Sequence, residues 1–259
     1  MTPSPGDASG RPVPVAFGLI VIGDEILTGT RQDRHLAAFK ERLSARGHQL
    51  AWCWILPDDP ELLTRHLAAS MSADAPVFCC GGIGATPDDS TRACAAAAAE
   101  VELVRHQEAA RLIEGRFGAD AYPQRIRMAD LPDGSSLIPN PVNQVPGFCL
   151  QGHWFLPGFP QMAWPMAEWV LDTHYGCATE PLHEEALIVR GVPESRLIPL
   201  MERLGAEFPD LKLFSLPHLG DTEPEHHILL GFRGRGDLGP AMATLRAGLE
   251  AEGVEHRER

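Results

Sequence analysis

Lysine is nearly absent from this 259-residue chain: only Lys40 and Lys212 occur, and the other twenty of its 22 basic residues are arginines. Positive charge is outweighed by 35 Asp and Glu, which leaves a formal net charge of −13. Nucleic acid and anionic membrane surfaces both demand a basic footprint, so neither is expected as a partner. No apolar run approaches the roughly 20 residues needed to cross a bilayer, and mean hydropathy is −0.12. The six cysteines, Cys53, Cys79, Cys80, Cys94, Cys149 and Cys177, form no Cys-x-x-Cys pair and no zinc-like spacing. Residues 1–14 are rich in Pro, Ser and Gly and lack a basic start followed by an apolar stretch. They read as a tail rather than a signal peptide, so a cytoplasmic protein with reduced thiols is expected. Three motifs are also missing: the Walker A loop, Gly-x-Ser-x-Gly and His-x-x-x-His. Their absence disfavours P-loop, serine-hydrolase and histidine-zinc chemistry, and the glycines that follow Cys80 do not have the Gly-x-Gly-x-x-Gly spacing of a dinucleotide site.

What is present is an alternation of strand and helix patterns. Val15–Ile22 and Pro76–Cys80 are continuous apolar runs that end in glycine, as strands buried on both faces do. Leu50–Leu56 is a further strand, and helices are expected over Arg34–Arg46, Glu61–Met71, Asp88–Glu100 and Gln107–Phe117. This order predicts an α/β arrangement with right-handed βαβ crossovers and a parallel sheet covered by helices. A proline-rich stretch over 131–160 carries short strand-like pieces at Ser136–Ile138, Gly147–Leu150 and Trp154–Leu156, before a helix over Pro160–His174. A boundary is expected near residue 178. Beyond it, over 179–259, the pattern is strand (Glu185–Arg190), helix (Glu194–Leu204), two strands (Lys212–Leu216, His226–Phe232) and helix (Leu238–Glu252), a small α+β domain.

Ligands of open parallel sheets bind beyond the carboxyl ends of the strands, and three such ends stand out. The first is Gly23-Asp24-Glu25-Ile26-Leu27-Thr28-Gly29, the second Pro57-Asp58-Asp59, and the third Gly81-Gly82-Ile83-Gly84-Ala85-Thr86-Pro87-Asp88-Asp89. In the third, glycines allow close backbone approach, and Thr86 with Pro87 suits the start of a helix. A helix N-terminus behind glycines is a cradle for phosphate. Glu25, Asp58 and Asp89 would then converge on one sheet edge as candidate ligands of a divalent metal such as Mg²⁺. The same acids also suit helix capping, Thr86-x-x-Asp89 being a capping-box spacing and Asp58-Asp59-Pro60 a turn before a helix. Asn140-Pro141-Val142-Asn143-Gln144-Val145-Pro146-Gly147 and Leu156-Pro157-Gly158-Phe159-Pro160 offer either a rigid binding rim or an ordinary stiff loop.

Taken in order, these motifs, with Leu131-Pro132 and Ser90-Thr91-Arg92, resemble the MoaB/Mog molybdopterin-binding domain family, in the form that begins the competence/damage-inducible protein CinA. The resemblance covers about residues 15–176, and Gly191-Val192-Pro193-Glu194-Ser195 resembles the small α+β domain that follows. It implies an α/β fold with a three-layer, mostly parallel sheet, and a homo-oligomeric protein that binds a small pterin or nucleotide ligand, with molybdopterin as one such ligand. By motif it assigns catalytic roles to Asp58 and Asp89. It assigns ligand binding to Gly23, Asp24, Glu25, Gly29, Gly81, Gly82, Gly84, Thr86, Asp88, Asn140, Pro141, Gly147, Pro157 and Gly158. CinA-like first domains are associated with hydrolysis of ADP-ribose-type pyrophosphates using a divalent metal and K⁺; a non-catalytic binding module is the alternative. No stretch resembles CinA's C-terminal amidohydrolase domain, so deamidation of nicotinamide mononucleotide is not expected. The chain departs from the family pattern at the rim: His35 stands where Asn is usual, Asn143-Gln144-Val145 replaces Gly-Thr-Ala, and Met162 replaces a glutamate.

Overall fold

A computed structural model describes residues 13–178, 182–218 and 226–259. Most of the expected tail and part of the expected boundary, residues 1–12 and 179–181, lie outside the described residues. The chain divides into two compact units, residues 1–179 and 180–259.

The first unit runs β1 (Ala16–Ile22), α1 (Asp24–Leu27), α2 (His35–Ala45), β2 (Gln49–Leu56), α3 (Pro60–Met71), β3 (Val77–Cys80), α4 (Thr91–Ala98), β4 (Leu103–Arg105) and α5 (Gln107–Phe117). It continues with β5 (Asp130–Pro132), β6 (Ser136–Ile138), β7 (Gly147–Leu150), β8 (His153–Leu156) and α6 (Pro160–Val170). The main sheet has the order β2-β1-β3-β8-β7-β6. Its β2-β1-β3-β8 part is parallel, and β8-β7-β6 is an antiparallel extension.

Alternate residues of β1 show why three layers form. Ile20 and Ile22 point into one core with Leu63 and Leu67 of α3, Cys94 of α4 and Ile113 of α5. Phe17, Leu19 and Val21 point into the other, with Phe39 and Leu43 of α2 and Met166 and Val170 of α6. A strand apolar on both faces can be stabilised only between two helical layers. The loops after β1, β2, β3 and β8 therefore gather at one edge of the sheet.

Three local differences from the sequence pattern have physical causes. The helix expected over Asp88–Glu100 starts instead at Thr91, with Ser90 as its N-cap and not Thr86. The Asp89 carboxylate turns back to accept the Thr86 N–H at 2.8 Å and the Thr86 hydroxyl. The return bond of a capping box thus forms without the helix, and closes the glycine loop on itself. A two-stranded antiparallel sheet, β4 with β5, was not foreseen, because three-residue strands leave no periodicity to read. The helix expected over Pro160–His174 stops at Val170 and ends in one wider turn, Leu171–Tyr175.

The second unit comprises β9 (His183–Arg190), α7 (Glu194–Glu207), β10 (Lys212–His218), β11 (His227–Gly234), α8 (Gly239–Ala251) and β12 (Glu255–Glu258). Its antiparallel sheet has the order β10-β11-β9-β12. Leu187, Leu230 and Phe232 of the sheet pack with Leu197, Leu204, Leu245 and Leu249 of the two helices. No helix among the described residues is long and apolar enough to cross a membrane.

Candidate functional site

A cavity of about 590 Å³ opens where the strand-end loops of the first unit meet. Its wall brings together residues from all the loops singled out in the sequence. Gly23 and Glu25 follow β1, and Asp58 follows β2. Gly81, Gly84, Thr86, Asp88 and Asp89 follow β3. Asn140, Pro157 and Gly158 come from the proline-rich stretch.

The acids of 58–59 divide their work. Asp59 caps α3, its Oδ1 accepting the Leu62 N–H at 2.7 Å, with Pro60 in the first turn. That leaves Asp58 to face the cavity. Asp58 and Asp24 hold each other's loops through the Asp24 N–H to Asp58 Oδ2 (3.1 Å) and the Asp58 N–H to Asp24 Oδ1 (3.3 Å). Partial burial raises the Asp58 pKa; the Asp24 N–H opposes this, and the charges of Asp24, Glu25 and Asp88 add to the rise. This corner of the site is therefore short of positive charge.

The glycine loop supplies donors. The N–H of Gly81 is used by the Leu156 carbonyl, and the N–H of Thr91 by the Gly82 carbonyl. Among the described residues, the four N–H groups from Gly82 to Ala85 donate to nothing. Gly81 is essential to the path: its φ is +122°, and a Cβ there would overlap the Ile22 carbonyl. From beneath, the Arg92 guanidinium donates to the Gly84 carbonyl at 2.6 Å and to the carbonyls of Asp130 (3.2 Å) and Arg127. Arg92 is itself buried, so it is an internal strap for the loop.

Several wall residues gave no signal in the sequence. Arg31 is the one arginine of the wall among the described residues. It pairs with Glu25 at 3.2 Å and stacks 5.6 Å from the Phe159 ring, whose side is exposed. Ile83, Phe117, Met128, Val145 and Met162 form an apolar end; of these, Phe117 and Met128 lie outside the motifs, and in the sequence their kind is indistinguishable from core. At the rim the Asn143 amide donates to Met162 Sδ at 3.1 Å. Asn140 is buried, and its Oδ1 accepts the N–H groups of Val142 and Asn143, so its Nδ2 is the free donor, without a partner.

Five residues assigned to ligand binding lie off the cavity wall. Asp24 acts on Asp58 from behind, and Gly82 sits between Thr91 and Asp58, where a Cβ would collide with the Thr91 hydroxyl. Gly29 is an exposed turn residue with φ +75°, and Pro141 is exposed on its loop. Gly147 is buried in β7, where a Cβ would strike the Phe155 carbonyl, so it serves strand packing. The three acids assigned to metal binding share one cavity, but each is engaged separately: Glu25 with Arg31, Asp58 with Asp24, Asp89 with Thr86. No group of three His, Cys, Asp or Glu among the described residues is gathered to hold an ion.

Comparison with known proteins agrees with this geometry. Residues 18–174 match the family described as "Probable molybdopterin binding domain". A CinA-like protein of Citrifermentans bemidjiense is 32% identical over 220 residues, covering 82% of this chain and 52% of that protein. A protein of Thermoplasma acidophilum is 29% identical over 245 residues, covering 90% and 91% of the two chains. A crystal structure of the protein CinA of Thermoplasma acidophilum, described as of unknown function, superposes with a TM-score of 0.56 at 26% identity, covering 61% of this chain and 98% of that one. The chain therefore belongs to the molybdopterin-binding domain family, as one of its MoaB/Mog-like CinA members.

Proposed function

We propose that the cavity binds the phosphoanhydride of a nucleotide or pterin and hydrolyses pyrophosphates of the ADP-ribose type. The observation that carries this reading is the run of four unpaired N–H groups, Gly82 to Ala85, of which the last three belong to residues that line one cavity with Arg31 and Asp58. Phosphate oxygens would take those N–H groups and the Arg31 guanidinium as donors. Glu25 fixes Arg31 in place, and Phe159 supports its flat face. The apolar end, from Phe117 to Met162, suits a heteroaromatic ring, and the free Asn140 Nδ2 would donate to an acceptor on it.

A cage of protein ligands alone does not fit these residues. They do fit Mg²⁺, which takes one or two carboxylates and completes its shell from phosphate oxygens and water; Asp58 and Asp89 would supply them, with Glu25 nearby. Bound there, the ion would offset charge on the phosphoryl oxygens. Asp58, its proton affinity raised by burial and neighbouring acids, would orient the attacking water and take its proton. Asp89, held by Thr86, would keep the glycine loop closed around the phosphates.

A screen of ADP-ribose, FAD and related pyrophosphates with Mg²⁺, Mn²⁺ or Co²⁺ tests this. The expected result is turnover by the wild type that falls by about 100-fold in Asp89→Asn. No turnover by the wild type, or unchanged turnover in that variant, overturns it. The thioether of Met162, set at the rim against Asn143, favours a second reading in which the ligand is held but not cleaved. Tight binding of ADP-ribose or molybdopterin without turnover, abolished by Gly82→Val, would select that reading.

A further inference from the structure

His35 opens α2 and is only 4% exposed. Its Nε2 lies 3.1 Å from the Gly158 carbonyl. A carbonyl can only accept, so Nε2 carries the ring proton. Nδ1 is buried and has no partner, so no acceptor is provided for a second proton. Gly158 in turn rests on the glycine loop, where a Cβ on it would lie 3.3 Å from the Gly81 Cα. Gly158 and Phe159 also form a shared wall between the large cavity and a second one of about 300 Å³ that His35 itself lines. The His35–Gly158 bond thus ties a helix start to the segment that shapes both cavities.

Building on the phosphoanhydride-binding reading above, we propose that neutral His35 is a positioning residue that seats the 157–159 segment on Gly81 and thereby sets the ligand-ready shape of the site. The charged or titratable groups around it come from three places, α1, the loop before α2 and β3. Asp33 precedes α2 and accepts the His35 backbone N–H at 2.9 Å; Glu25, from α1, lines the same smaller cavity. Arg31 and Arg34, from the loop before α2, and Cys80, from β3, line it too. The 157–161 segment presents only uncharged groups there. Burial lowers the His35 pKa, and it outweighs the Gly158 bond and the Asp33 charge, which raise it. A second proton would sit buried and unpaired on Nδ1. Acidification therefore loosens the His35 ring and releases Gly158.

The test compares wild type, His35→Gln and His35→Leu between pH 7.5 and 5. Glutamine places a non-titrating N–H donor near the position of Nε2, and leucine places none. Hydrogen exchange at the Met162 and Ala163 amides, which donate to the Phe159 carbonyl, corrected for the intrinsic rate, reads the seating of the segment. Binding of ADP-ribose reads the site. In the wild type, protection falls below about pH 6; in His35→Gln it stays flat, and in His35→Leu it is low throughout. Over the same range the wild type loses about 10-fold more affinity for ADP-ribose than His35→Gln. Matching pH profiles of wild type and His35→Gln, or wild-type protection in His35→Leu, would overturn the proposal. If the exchange pattern holds while none of the three proteins binds ADP-ribose, the positioning role stands and the phosphoanhydride reading fails.

Discussion

The two loop systems that face each other across the large cavity are built from opposite backbone chemistry. The loop after β3 is glycine-rich, and its backbone keeps four N–H groups unspent. The opposing rim carries Pro139, Pro141, Pro146, Pro157 and Pro160, none of which has an N–H to offer. Its side-chain contributions are apolar surface and the free donor Asn140 Nδ2, while the Asn143 amide is spent on Met162 Sδ. The polarity of the cavity is thus set largely by main chain: donors for an anion on one side, a dry wall for a ring on the other. On the proposed reading, a chain so short of lysine would hold a phosphate this way, with Arg31 as the one guanidinium on the wall among the described residues.

The sharpest way to break this contrast is to remove the glycine path. Gly81→Ala places a Cβ on the Ile22 carbonyl at φ +122°. A loss of about 2–4 kcal/mol in denaturant unfolding is expected; wild-type stability would mean that the loop path is not constrained as described. Next comes the cation. Arg31→Ala removes an exposed side chain, so folding should be kept while ADP-ribose affinity by calorimetry falls by about 10- to 100-fold. An unchanged affinity would move the phosphates elsewhere.

The smallest expected effect concerns the acidic corner. The folded-state pKa of Asp58 is raised, so the folded protein holds its proton more tightly than the unfolded chain does. Stability from this group is present at low pH and is lost as pH rises from the ordinary Asp range through the folded pKa. Asp58→Asn should therefore stabilise the fold at pH 7 by a few tenths of a kcal/mol, allowing for solvent screening, with no gain near pH 3. Destabilisation at pH 7 would show that the Asp24 N–H bond outweighs the repulsion.

Legibility in the sequence followed the same divide. The glycine loop and the carboxylates were readable because they follow strands whose apolar runs are unmistakable, as in Ala16–Ile22 and Val77–Cys80. Helix periodicity also placed α3 and α5 closely. What could not be read was pairing between distant segments. Arg31 meets Phe159, and Phe117 joins Val145 and Met162, only because the sheet order brings their loops to one edge. The start of α4 was misplaced because one side chain, Asp89, bonds back to Thr86 instead of entering a helix. That difference is a property of the site itself, since the bond closes the glycine loop on itself where a helix turn would otherwise stand.

The most direct test of the central claim is a crystal structure of the protein with ADP-ribose and Mg²⁺. The account predicts phosphate oxygens within hydrogen-bond distance of the N–H groups from Gly82 to Ala85 and of the Arg31 guanidinium, with a ring toward Phe117 and Met128. Phosphates bound away from that loop, with those four N–H groups still unpaired, would contradict it.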